Sequence, residues 1–136
     1  KITCRPLIAT HSNAHSLSPS ARNLTDRQLE AIAESVGIVG LNFHVGFLNA
    51  LCDETADASL DQMIRHLDHL IGILGEDGVA LGSDFDGCVL PSEIGNAGGL
   101  PNLISAMRAS GFGDILIDKI CRDNWLDVME RSLVGL

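Results

Sequence analysis

No stretch of this chain is apolar for long enough to cross a bilayer. The longest runs, such as Gly37–Leu41 and Gly78–Leu81, fall far short of the roughly 20 residues a membrane helix needs. Basic residues are few and unclustered: nine Lys and Arg stand against 18 Asp and Glu, a formal net charge of −9. That balance excludes the phosphate-binding surface that nucleic acid requires, and it offers no polybasic patch to an anionic membrane. Cys-x-x-Cys pairs are missing as well. The four cysteines, at positions 4, 52, 88 and 121, lie far apart, which reads as reduced thiols rather than a disulfide framework or a zinc knuckle and points to a cytoplasmic setting. Neither a Gly-x-Gly-x-x-Gly fingerprint nor a Walker A loop occurs, so nucleotide binding has no support. Internal repeats and low-complexity tracts are absent too. Lys1–Ile8 does not make a signal peptide, and the missing initiating Met places the expected amino terminus upstream.

What is present is globular composition. Apolar residues make up 46% of the 136 positions and charged residues 20%, enough for one domain with a real core. Pro6–Thr10 is a short apolar run that stops at His11, followed by a Ser/Asn-rich loop to Asn23. Thr25-Asp26-Arg27-Gln28 forms a capping box, with Leu24 and Leu29 placed as a hydrophobic staple, and Leu29, Ile32, Ala33 and Val36 keep helical spacing up to Gly37. A second apolar run, Gly37–Phe43, leads through a mixed loop to Ser59-Leu60-Asp61-Gln62, another capping box. A helix carrying Leu60, Met63, Ile64, Leu67, Leu70, Ile71 and Leu74 follows, closed by Gly75. Gly78–Ser83 is the third apolar run. Short helices are expected near 102–109, 114–121 and 124–132. Strands apolar on both faces, joined by helical crossovers, predict a parallel α/β sheet with strands near 6–10, 38–43 and 79–83. Such folds place their chemistry beyond the carboxyl ends of the strands.

Three residues at those ends invite a functional reading. His11 is placed as a metal ligand, although a lone imidazole is more often a structural or loop residue. Arg22 offers a guanidinium fork to a substrate carboxylate, although loop arginines are usually solvated. Asp84 suits acid/base work or a metal site, since a turn does not need it; Asp86 is equally well explained as the capping residue of an Asp-Gly turn. If the strand runs on, Asp84 and Asp86 share a face and Phe85 takes the other. His66 and His69, three apart on the second helix, are expected to pack or to bond at the surface rather than hold zinc. His15 and His44 carry no functional expectation, and the cysteines and Trp125 read as core or surface.

The stretches Pro6–Ala14, Arg22–Asp26, Gly40–Phe43, His66–His69, Leu81–Gly87 and Leu100–Leu103, taken in order, resemble the renal or membrane dipeptidase family of binuclear zinc enzymes on a (β/α)8 TIM barrel. The resemblance covers nearly the whole chain. It implies that His11 is the last histidine ligand of the metal pair. Arg22 would bind the free carboxylate of a dipeptide, and Asp84 would be the acid/base group as the tetrahedral intermediate collapses. Departures are small: Thr10 stands where Ser commonly precedes the histidine, and Asp123 where Gly commonly precedes Asn124.

The expectation is therefore an α/β fragment, residues 1–136, forming the carboxyl-terminal portion of a single metallodipeptidase barrel, with its last three strands and terminal helices. The implied activity is zinc-dependent hydrolysis of dipeptides. Most ligands of the two zinc ions would lie outside the chain, leaving the fragment alone inactive and prone to self-association through its open sheet edge. The rivals are a non-catalytic α/β module and another metal-dependent amidohydrolase-type barrel.

Overall fold

The computed structural model describes residues 5–133. Three strands, β1 (Ile8–Ala9), β2 (Ile38–Leu41) and β3 (Val79–Leu81), form one parallel sheet in that spatial order. Val39 pairs with Val79 and Leu41 with Leu81, and β2, flanked on both sides, is buried throughout. Parallel strands need helical crossovers, and the chain supplies α1 (Asp26–Glu34) after β1, then α2 (Val45–Leu48) and α3 (Leu60–Leu74) after β2. Local chemistry sets where the two long crossovers begin. Gln28 Oε1 accepts the backbone N–H of Thr25 at 2.9 Å, and Gln62 Oε1 accepts that of Ser59 at 2.8 Å, so each helix starts at its capping residue.

Alternation along β2 and β3 then sorts the core. Val39, Leu41 and Val79 face α1 and α3, meeting Leu29 and Ile32 on one and Met63, Ile64, Leu67 and Leu70 on the other. Ile38 and Ala80 face the other way and pack on Val128 and Trp125 of α6 (Asn124–Leu133). Before it come α4 (Leu100–Ala109), α5 (Asp114–Asp118) and a π-helical turn at Lys119–Asp123. The start of α6 also covers the outer edge of β3. Asn124 Nδ2 donates to the Val79 carbonyl at 2.7 Å and Trp125 Nε1 to the Leu81 carbonyl at 2.9 Å, satisfying acceptors that no fourth strand takes among the described residues. The edge of β1 is bare by comparison, with Leu7 41% and Ile8 45% exposed.

Three expectations are corrected. The mixed loop contains α2, one turn too short to show a period. The left-handed turn that ends α1 falls on Val36 (φ 54°), not on Gly37. Val36 N–H bonds Ala33 O and Gly37 N–H bonds Ile32 O, a Schellman closure, and Gly37 is required instead because a Cβ there would sit 2.0 Å from the Leu7 carbonyl oxygen. Finally, β3 stops at Leu81, and both Asp84 (φ 62°) and Asp86 (φ 64°) are left-handed, so strand alternation does not put their side chains on a common face.

Candidate active site

The segments that leave the carboxyl ends of β1, β2 and β3 gather on one rim of the sheet. They are held there by an unusual concentration of buried asparagine. The Asn13 side chain works in both directions: Oδ1 accepts the Asn42 N–H at 2.8 Å, while Nδ2 donates to the carbonyls of Asn42 (3.0 Å) and Phe47 (3.2 Å). Asn23 Nδ2 donates to Ser18 and Phe47 carbonyls, both at 2.9 Å, and its Oδ1 takes the Asn13 N–H. Asn13, Asn23 and Asn42 are all buried, so each of these bonds satisfies a group that would otherwise be costly to bury.

His11 follows β1 and is partly buried. Its Nδ1 lies 2.6 Å from Thr10 Oγ1, which leaves Nε2 as the ring nitrogen open to an outside ligand. Two glycines fix the backbone beneath it. The Thr10 carbonyl oxygen lies across Gly40 and Gly82, 2.2 Å and 2.0 Å from where their Cβ atoms would stand. Any side chain at either position would push Thr10, and His11 with it, off the sheet.

Asp84 sits in the turn after β3, partly buried, its main-chain carbonyl accepting the Gly87 N–H at 3.1 Å. Its carboxylate accepts a hydrogen bond from Asn42 Nδ2 at 3.0 Å. Phe85 turns the other way and meets Phe43 edge-on, ring centroids 5.7 Å apart. Asp86 is exposed. Burial, reinforced by the Asp84 charge, pushes the neighbouring Cys88 thiol up.

Arg22 is exposed on the loop from β1, with Cζ 6.0 Å from the centre of the Phe47 ring. It has no ion-pair partner among the described residues, so the guanidinium is open to an anion. Phe47 is itself pinned by Asn13 and Asn23 and stacks edge-on against buried His44 at 4.5 Å. His44 donates from Nδ1 to the Val89 carbonyl at 3.3 Å.

The His66-x-x-His69 pair bonds to protein groups. His66 is buried; Nδ1 accepts the Ala14 N–H at 3.2 Å and Nε2 donates to the Leu48 carbonyl at 3.1 Å. Those partners define the neutral tautomer, and burial pulls its pKa down to about 4. His69 Nε2 lies 2.8 Å from Asp26 Oδ1 and 3.1 Å from Ser16 Oγ. Both histidines therefore tie α3 to the loop that carries His11 and Arg22, although α3 itself packs outside the sheet.

The rim thus holds an open imidazole, an open guanidinium and an anchored carboxylate, one set by each of β1, its loop and β3. The model of the membrane dipeptidase family (peptidase family M19) matches residues 1–133. The chain belongs to the membrane dipeptidase family. An uncharacterized protein in the pqqA 5′ region of Klebsiella pneumoniae is 54% identical over 126 residues, 93% of this chain and 46% of that protein. The crystal structure of dipeptidase AC, a metallopeptidase of family M19, is 52% identical with a TM-score of 0.94, covering 96% of this chain and 39% of its own. A metallopeptidase from Rhodobacter sphaeroides, solved with a phosphinate mimic of the dipeptide L-Ala-D-Ala, is also 52% identical; its TM-score is 0.92, over 94% of this chain and 36% of its own. The chain spans less than half the length of these relatives. Its parallel sheet and helical crossovers are part of the family's TIM barrel.

Membership of the membrane dipeptidase family implies a metal, and the donors can be tested against one. A zinc centre takes three or four protein ligands. Among the described residues no three His, Cys, Asp or Glu side chains converge on a common point. The His11 imidazole, with Nε2 open, would fit as one contributor. No helix among the described residues is long and apolar enough to cross a membrane. What sequence reasoning missed is the asparagine framework: amide side chains carry no spacing signal, and only Asn42 directly follows a strand.

Proposed function

We propose that this chain is the carboxyl-terminal portion of a single barrel domain in a zinc-dependent dipeptidase. The observation that carries the reading is an exposed Arg22, with no ion-pair partner among the described residues, at the same end of the sheet as an anchored Asp84 and the His11 that follows β1. Zinc, when bound, would polarise the scissile carbonyl and lower the pKa of water. This chain's residues do the rest. Arg22 holds the free carboxylate of the dipeptide through paired N–H bonds, which fixes where the peptide bond lies. His11 contributes one imidazole to the metal. As water adds to the carbonyl carbon, Asp84 accepts the proton the water gives up, and as the C–N bond breaks it passes that proton to the departing amine nitrogen. A D-residue on the carboxyl side agrees with the L-Ala-D-Ala mimic bound by the Rhodobacter sphaeroides metallopeptidase. Cys52, Cys88 and Cys121 are free, which favours a reducing, cytoplasmic compartment; Cys4 lies outside the described residues.

The test uses the full-length protein and the 136-residue chain side by side. After dialysis, metal content is measured and amino-acid release is followed on a panel of dipeptides. The full-length protein should hold two zinc ions and turn over dipeptides, whereas the isolated chain should do neither. A metal-loaded full-length protein that hydrolyses no dipeptide would overturn the reading.

A further inference from the structure

We propose that Asn42 is a positioning residue for Asp84, and that the Asn13–Asn42 pair sets the acid/base carboxylate in register with the segment that carries His11. This inference rests on the dipeptidase reading above. Asn42 is fully buried, and every polar group it owns is assigned. Its main-chain N–H and C=O both bond the Asn13 side chain, at 2.8 and 3.0 Å. Its Oδ1 accepts the His44 N–H at 2.7 Å. With Oδ1 committed as an acceptor, the NH2 group must face the other way, and there it donates to Asp84 Oδ2 at 3.0 Å.

The consequence for Asp84 is positional. Its backbone is left-handed and lies beyond the end of β3, so the sheet does not hold it rigidly. The amide takes Oδ2 and leaves Oδ1 to exchange the proton. Asn13, two residues past His11, gives Asn42 its own footing. The rim therefore contains a ladder from the loop of β1, through the end of β2, to the turn after β3.

The experiment is steady-state kinetics on the full-length enzyme with a dipeptide, alongside thermal denaturation. Asn42→Ala should lower kcat on the order of 10²-fold, the effect of a misplaced catalytic group, while KM stays near the unmodified value. Asn42→Asp keeps the shape but replaces the donor with a second carboxylate, and should lose at least as much; it also serves if Asn42→Ala does not fold. Asn49→Ala is the control. Asn49 is buried and bonds the Val45 and Asp53 carbonyls, both at 2.7 Å, away from Asp84, so its loss should lower stability and leave kcat alone. Near-normal kcat in the folded Asn42 variants, or an equal fall of kcat in Asn49→Ala, would overturn the positioning role while the dipeptidase reading stood. No turnover by the unmodified enzyme would overturn both.

Discussion

The Nδ1 atom of His66 accepts the backbone N–H of Ala14, fifty-two residues earlier, while its Nε2–H reaches the Leu48 carbonyl. One buried imidazole thus joins the loops from β1 and β2, and only as the neutral base.

Acid should therefore loosen the rim. The unfolded imidazole takes a proton near pH 6.5 and the folded one only near 4, so the unfolded state binds more protons between these values. The stability His66 contributes is complete above pH 6.5 and falls as pH drops toward 4, by about 3 kcal/mol in all. Urea unfolding of the chain from pH 7 to pH 4 should show the decline. His66→Gln can still accept from Ala14 and donate to Leu48 but cannot titrate, so its curve should be flatter across that window. Parallel curves would show that His66 does not control the acid response.

How much of this was legible beforehand follows from how local each feature is. The capping boxes at Thr25 and Ser59 placed α1 and α3 to within a residue, because their bonds close over three positions. The apolar runs marked the strands, and His11, Asn42 and Asp84 each follow a carboxyl end. Asn42 itself was only part of a resembling motif: its burial depends on Asn13 and Asp84, 29 and 42 residues away. A shared face for Asp84 and Asp86 depended on the strand running past 83, a condition that local alternation cannot test, and the turn there is closed by Gly87.

Gly40 and Gly82 should tolerate no side chain. A Cβ at either would meet the Thr10 carbonyl within 2.2 Å, and backbone cannot swing aside as a side-chain end can. Gly40→Ala and Gly82→Ala should each cost about 1–3 kcal/mol, read as a lower melting temperature. On the proposed reading, in which His11 holds metal, the full-length protein should also retain less metal, because Thr10 carries His11. Unchanged stability in both variants would mean that the close approach is not rigid.

The end of α1 makes the opposite forecast. Val36 is a β-branched, 65% exposed residue in a left-handed conformation, where only glycine is free of strain. Val36→Gly should stabilise the chain by about 1 kcal/mol in thermal denaturation. Gly37→Ala, one position on, should destabilise it, since its Cβ would strike the Leu7 carbonyl oxygen. A loss of stability in Val36→Gly would place the strain elsewhere.

The bare edge of β1 should drive association of the isolated chain. Leu7 and Ile8 are exposed on the edge strand β1, whereas β3 is covered by Asn124 and Trp125. Sedimentation at micromolar concentration should show dimers or larger species, and Ile8→Lys should shift them toward monomer. A stable monomer in the unmodified chain would refute the edge as an interface.

On the proposed dipeptidase reading, kinetics of the full-length protein should separate the rim residues by role. Arg22→Lys keeps the charge but loses the planar fork that matches a carboxylate, so KM for dipeptides should rise strongly while kcat changes little. Asp84→Asn keeps the shape and even a partner for Asn42, but the amide cannot exchange a proton as the C–N bond breaks. Its kcat should fall on the order of 10²–10⁴-fold, with KM nearly unchanged. His66→Gln should alter stability and neither constant, since its imidazole is spent on Ala14 and Leu48. The roles exchange in one informative way: if Asp84→Asn retains near-normal kcat while His66→Gln loses zinc, the chemistry lies on the α3 side of the sheet. The rim of His11, Arg22 and Asp84 would then be scaffold.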